Sequence, residues 1–246
     1  MVSHALGKRT PVWQGSQQLD RENQLLLTQL QDLVDTAPRG KLGQDSVHFV
    51  LGAPLVRHTM LSWQDNLRTL DDWKGYASVL FAQQYGVDIS QWRIQIAEEG
   101  YGRPRLAIAM DELLYQTILD VVRNARLRLQ GVEPLLAQVV NRHFRQLKHT
   151  EYALLILERQ FAHVGFWRDR QWQSVSCQPF QAGSTLKREQ LSALLRDTAI
   201  LTGQPLPAEA YLSAVDIDAS DVDVHADGLI WLGAPLPQFA SPEPLA

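Results

Sequence analysis

Both halves of this chain run through the same succession of apolar periods. Short runs of alternating or continuous apolar residues lead into a stretch that repeats every three to four residues, and then into another short run and another helical stretch. A chain that keeps switching between a strand period and a helix period has to pack helices against mixed sheets, and doing so twice implies two lobes built on one logic. With 246 residues and 45% hydrophobic content, the chain holds enough apolar side chain to bury a substantial core.

In the first half, a weakly alternating stretch over 2–13, interrupted by Gly7-Lys8-Arg9, predicts a hairpin. Asp20 is placed to cap a helix over 21–34 that carries Leu26, Leu27, Leu30, Leu33 and Val34, and Pro38-Arg39-Gly40 closes it. Val47-His48-Phe49-Val50-Leu51 predicts a buried strand that stops at Gly52-Ala53-Pro54. A second helix is expected over 66–85, with Gly86 as its left-handed terminator. The runs 92–97 and 105–110 are expected to pair as antiparallel strands across Gly100-Tyr101-Gly102-Arg103-Pro104. Asp111 opens a helix carrying Leu114, Ile118, Val121, Val122 and Ala125, followed by a strand over 127–132 and a helix from Pro134 to about 147.

The second half changes rhythm. Three short strands, 152–157, 160–167 and 172–177, predict a meander whose last two members meet at Arg168-Asp169-Arg170-Gln171. A helix over 186–201, a strand over 211–217, an acidic segment and an apolar run over 229–232 follow, and the tail from Pro235 reads as a loose end. The expected division is 1–126 for the first lobe and 127–246 for the second, which includes the proline-rich tail. The pentapeptide Leu51-Gly-Ala-Pro-Leu55 recurs as Leu232-Gly-Ala-Pro-Leu236, a coincidence that five residues of low chemical complexity allow without duplication.

A formal net charge of −4 with interspersed signs offers no basic face for phosphates, so nucleic acid is not an expected partner. Cys177 is the single cysteine; it excludes an internal disulfide framework, suits a reducing cytoplasm and is expected to be a small buried residue. No apolar run approaches a signal peptide or the ~20 residues of a membrane span, so direct membrane insertion is not expected.

Motifs for chemistry are missing or out of context. Gly-x-Ser-x-Gly does not occur, and the nearest pair, Gly183-Ser184, lacks the strand-to-helix setting. Gly100-Tyr101-Gly102 precedes a proline and a strand, whereas a dinucleotide fingerprint needs a helix there. Arg142, His143, Arg145, Lys148 and His149 gather at a helix end, where positive charge suits the macrodipole and solvation is expected. Asp216, Asp218, Ser220 and Asp221 through Asp227 alternate like a calcium loop, but Asp221 stands where the bend glycine belongs and Asp227 where a long glutamate closes the site. A water-facing acidic strand edge is expected there. Seven tryptophans are core filling first and interface anchors where exposed. No catalytic, cofactor-binding or metal-binding residue is assigned on these grounds.

The order Val50-Leu-Gly-Ala-Pro-Leu-Val-Arg57, Trp63, Tyr76, Phe81, Tyr85-Gly86, Trp92, Tyr101-Gly-Arg-Pro-Arg-Leu-Ala-Ile-Ala-Met-Asp111 and Val132-Glu-Pro134 resembles the actin-like cytoplasmic proteins of envelope machines. These are the PilM proteins of type IV pili and the cytoplasmic part of the type II secretion L proteins, and the resemblance covers about residues 45–235. It implies an α/β chain of two ribonuclease H-like lobes of actin-like type, with mixed sheets, flanking helices and a candidate truncation of the N-terminal strands. Nucleotide-binding members of the superfamily carry an Asp-x-Gly turn at the start of each lobe and a glycine pair near the adenosine. Here no Asp-x-Gly occurs near the N-terminus, Leu157-Glu158-Arg159 stands at the second-lobe position, and Gly-Gly occurs nowhere. Side chains at those places block the close backbone approach that phosphate needs.

The resemblance therefore implies a non-catalytic adaptor, a pseudo-ATPase without cofactor, in a type IV pilus or type II secretion assembly. The alternative is an active actin-like ATPase or a kinase-like nucleotide-binding protein using ATP and magnesium; a calcium-responsive regulator would rest on the acidic segment alone. Implied partners are the cytoplasmic segment of an inner-membrane assembly protein and a hexameric secretion or assembly ATPase. The implied location is the cytoplasm, peripheral to the inner membrane through those partners. The family places a membrane protein's short peptide in a groove of the first lobe, near the hairpin with Tyr101, Arg103 and Arg105. An aromatic anchor and two forked donors are the side chains that dominate binding hot spots.

Overall fold

The computed structural model describes residues 2–4, 11–14, 23–37, 39, 45–86, 88–181, 187–215 and 228–235. Its elements are β1 (Val2–His4), β2 (Pro11–Gln14), α1 (Asn23–Asp35), β3 (Ser46–Leu51), β4 (Val56–Leu61), α2 (Leu70–Tyr85), β5 (Trp92–Ile96), β6 (Arg105–Asp111), α3 (Glu112–Asn124), β7 (Arg128–Pro134), α4 (Leu135–His143), β8 (Tyr152–Leu157), β9 (Phe161–Arg168), β10 (Gln171–Pro179), α5 (Arg188–Thr202), β11 (Ala210–Ala214) and β12 (Leu229–Gly233). The hairpin turn at Gly7-Lys8-Arg9, the cap Asp20, Pro38, Gly40, Gly183-Ser184, the acidic segment 216–227 and the tail 236–246 lie outside the described residues.

The strands form three sheets, in the orders β2-β1-β3-β7, β10-β9-β8-β11-β12 and β4-β6-β5. In the five-stranded sheet the meander is antiparallel, and β8, β11 and β12 run parallel. The four-stranded sheet repeats that plan with one strand fewer: a hairpin, a helix, then the parallel pair β3 and β7. Matched by connectivity, β1 and β2 correspond to β9 and β10, and β3 and β7 to β11 and β12. Among the described residues, β8 has no counterpart in the first sheet. The two Leu-Gly-Ala-Pro-Leu copies accordingly end non-equivalent strands, the inner β3 and the edge strand β12.

β8 is buried at all six positions because helices cover both faces of its sheet. Ala153, Leu155 and Leu157 face Leu191 and Leu194 of α5. Leu154 and Ile156 face Leu135, Leu136 and Val139 of α4. In the first lobe, Leu26, Leu30 and Val34 of α1 and Ile118, Val121 and Val122 of α3 cover Val47, Phe49 and Leu51. The third sheet is covered on one face by α2 through Trp73, Ala77 and Phe81, which meet Leu61, Ala107 and Ala109. On its other face, Leu106 joins the core under α4.

The main departures from the sequence expectations are a strand, two helix ends and one sheet assignment. β4 was not foreseen. α2 begins at Leu70 and not near 66, because Thr69 forms a capping box, accepting from the Asp72 N–H while the Asp72 carboxylate accepts from the Thr69 N–H. Helix α4 stops at His143, well before 147, with Pro134 as its N-cap. β7 pairs with β3, so this strand sits in the first sheet although the division at 126/127 assigns it to the second lobe.

Replacing Thr69 with Ala removes the cap acceptor from the helix that covers the third sheet. The expected cost is about 1 kcal/mol, read as a lower urea midpoint at unchanged slope. An unchanged midpoint would show that the cap contributes nothing.

Candidate functional site

Two arrangements concentrate the polar chemistry of the molecule. The first lies where the lobes meet. Chain reversal between β8 and β9 places Glu158 directly after the buried strand, its N–H bonded to the Phe161 carbonyl at 2.8 Å. From there its carboxylate crosses to the first lobe, to the turn Gly52-Ala53-Pro54 that ends β3. Oε1 accepts the Ala53 N–H at 2.8 Å and stands 2.7 Å from Nε2 of His163. Gly52 lies so close to Oε2 that a Cβ there would overlap the carboxylate, which accounts for glycine at this place without any demand on its φ.

His163 lies on β9, directly across from Cys177 on β10, and is fully buried. Burial opposes its positive charge, but the neighbouring Cys177 sulfur and the Glu158 carboxylate outweigh burial and raise its pKa to about 9, although Nδ1 itself has no hydrogen-bond partner. Nε2–H of the charged ring donates to Glu158, a charge-assisted bond. His58, on β4, meets the His163 ring edge-on with centroids 5.5 Å apart. It is 1% exposed, neither ring nitrogen has a hydrogen-bond partner, and burial together with the His163 charge lowers its pKa to about 3. Cys177 itself is half-buried. Among the described residues, no group of three or more His, Cys, Asp or Glu side chains is arranged to hold a metal ion.

The second arrangement is the hairpin expected to hold the partner. Tyr101 is 86% exposed at its tip, but the ring is not free: it meets the Trp63 ring edge-on at 4.7 Å. Trp63 is tied to Asp65 by its indole N–H at 2.8 Å and leans on the buried Trp73 at 5.6 Å. Arg103 is exposed, its stem passing 3.7 Å from the position of a Cβ on Gly100. Arg105 differs from the sequence picture of an exposed donor. Its guanidinium lies over Trp73 at 4.7 Å and 5.9 Å from the Trp63 centroid, and its buried Nε has no hydrogen-bond partner. Arg57 repeats the pattern from β4, 4.6 Å over Tyr85. The structure thus joins Tyr101 and Arg105 through Trp63, and leaves Arg103 as the outermost cation.

The tryptophan platform and the His58–His163–Glu158 cluster were both missed in sequence. A usable signal existed for the second: His163 interrupts the apolar run Phe161-Ala162-His163-Val164, where a buried histidine requires a partner.

No family model matches the sequence, and no curated protein matches it. Solved structures do. The cytoplasmic domain of EpsL, an inner-membrane component of the type II secretion system of Vibrio cholerae, aligns with a TM-score of 0.51 at 14% identity, over 89% of this chain and 76% of that one. The PilM–PilN type IV pilus biogenesis complex aligns with a TM-score of 0.50 at 12% identity, over 79% of this chain and 68% of that one. The chain has the actin-like ATPase fold. A Bacteroides thetaiotaomicron protein with the actin-like ATPase fold and unknown function gives a TM-score of 0.49 at 8% identity, over 78% of this chain and 68% of that one. At these identities the likeness concerns the fold, two lobes each built on a mixed sheet. No helix among the described residues is long and apolar enough to cross a membrane.

The two junction histidines bias stability in opposite directions with pH. The folded pKa of His163 lies above the ordinary histidine value of 6.5, so its contribution is full below 6.5 and is lost as pH rises towards 9. For His58 the folded pKa lies below 6.5, so stability is present above that value and lost as pH falls towards 3. Urea titrations should show His163→Gln losing its deficit relative to wild type as pH is raised, and His58→Gln flattening the acid limb. A His163→Gln deficit independent of pH between 6.5 and 9 would contradict the charged assignment.

Proposed function

We propose that this chain is a non-catalytic, actin-like adaptor of a type IV pilus or type II secretion assembly. It works at the cytoplasmic face of the inner membrane and binds the cytoplasmic segment of an inner-membrane assembly protein. A hexameric assembly ATPase is a second partner of this reading. Glu158 carries the argument. At the second-lobe turn where nucleotide-binding relatives offer Asp-x-Gly to phosphate, this chain holds a carboxylate already engaged by the Ala53 N–H and by His163. That carboxylate fills the space beside Gly52 and would repel a phosphate arriving there. The strand that would carry the other phosphate turn, the counterpart of β8, has no equivalent in the first sheet among the described residues. The lobes are thus joined by protein groups in the position a nucleotide would otherwise bridge.

The partner surface of this reading is the hairpin with Tyr101 and Arg103 outermost and Arg105 held on the tryptophans beneath them. A rigid aromatic backed by a second ring loses little conformational freedom when it is covered, and the exposed guanidinium can grip a carboxylate or peptide carbonyl. The structural neighbours add weight, one being a complex of pilus biogenesis proteins and the other an inner-membrane secretion component.

The test has two arms. Titration with the cytoplasmic segment of an inner-membrane protein encoded beside this gene should give binding that Tyr101→Ala or Arg103→Ala weakens by about 1–2 kcal/mol. Failure of every such segment to bind would sink the adaptor reading, and unchanged affinity in both variants would move the interface elsewhere. In the other arm, millimolar ATP with magnesium is expected to leave thermal stability unchanged; an ATP-dependent rise abolished by Glu158→Ala would favour the active ATPase or kinase-like alternative.

A further inference from the structure

We propose that the turn following α4 is a contact for an anionic lipid surface, independent of the hairpin described above. Arg142, Arg145 and Lys148 are all exposed, and no acidic residue occurs between Asn141 and Thr150. The next acid in sequence, Glu151, is engaged by Arg168 at 2.9 Å. None of the three cations takes part in an ion pair among the described residues. On a chain of formal net charge −4, this is a local concentration of positive charge without an ion-pair partner among the described residues.

Helix-end charge alone would be unremarkable, but the turn also carries Phe144, 73% exposed. Its exposure is enforced by the backbone. The His143 carbonyl accepts from the Gln146 N–H at 2.7 Å and the Leu147 N–H at 3.2 Å, and the Lys148 N–H is bonded to the Tyr211 hydroxyl at 3.1 Å. Leu147 packs into the core beneath, and His143 is buried, so the turn is pinned on both sides of the ring it presents. An aromatic ring held in water among three cations is the surface complement of a lipid interface, where the ring enters the boundary between headgroup and acyl chain and the cations meet phosphate.

Shape selects the lipid over an acidic peptide. Nearly every residue from Asn141 to Lys148 is exposed, Leu147 and His143 being the inward exceptions, so the segment stands out as a ridge among the described residues. A peptide needs a groove to bury its side chains; a plane meets the ring and all three cations together.

The test is sedimentation of the full chain with vesicles at millimolar lipid and low salt, comparing mixed phosphatidylglycerol–phosphatidylcholine with phosphatidylcholine alone. Partition is expected only with the anionic vesicles, and should fall with added salt. At about 1 kcal/mol per basic residue, each cation removed weakens it about fivefold, and the triple change Arg142→Gln, Arg145→Gln, Lys148→Gln about 100-fold. Phe144→Ser should weaken partition while leaving its salt dependence in place. Circular dichroism confirms that these surface variants remain folded. Absence of partition, equal partition into neutral vesicles, or full binding by the triple variant would each overturn the proposal. So would capture of an acidic peptide at this turn without any vesicle binding.

Discussion

A carboxylate withdrawn from bulk water has to find donors, and Glu158 finds one in each lobe: the Ala53 backbone N–H on one side and the charged ring of His163 on the other. The elements around this contact are arranged by it. The turn Gly52-Ala53-Pro54 leads straight into β4, so the bond that anchors Ala53 also sets where the third sheet begins. β4 then brings His58 back against His163, and Tyr85 of α2 donates its hydroxyl to the His58 carbonyl at 2.9 Å. From one side chain the chain of contacts runs through both lobes and into the helix over the third sheet. Breaking a pair of this kind from one side leaves a charge stranded in an apolar setting, which costs about 3–5 kcal/mol in comparable buried pairs.

Local pattern made most of the secondary structure legible. β8, six consecutive apolar residues, could be nothing but a covered strand, and Asp111 and Gly86 end or begin their helices as their side-chain and backbone chemistry require. β4 escaped for a physical reason. It is covered on both faces, yet holds Arg57, stacked on Tyr85, His58, whose ring nitrogens are unpaired, and the buried Thr59, so neither an alternating nor an all-apolar pattern survives. The junction escaped for another: Glu158 and Ala53 are 105 positions apart, and nothing local to either announces the other.

Arg105 and the turn carrying Phe144 both depart from the sequence expectations. A charged residue beside a turn was expected to face water, but two indole faces offer Arg105 a negative quadrupole and a flat surface, and the stem prefers that cover. The helix expected to run to about 147 closes at His143, and the hydrogen-bonded turn that follows leaves the Phe144 ring exposed. In both, the deciding factor is where the backbone ends its regular run, and that boundary is the least local feature of a sequence.

A ligand bound between two lobes can link them only while it is present. Here the bridge is built from the chain itself: a carboxylate on the second lobe, a backbone amide of the first, and a histidine kept charged by its neighbours. A covalently attached group has an effective concentration that a free ligand cannot match, so the bridge is permanently in place under conditions where His163 keeps its proton. In the proposed adaptor such a bridge favours rigidity over a nucleotide-driven change of the cleft. If both proposed contacts are used, the hairpin of Tyr101 and Arg103 and the turn of Phe144 belong to one chain, and two weak contacts carried on one body reinforce one another.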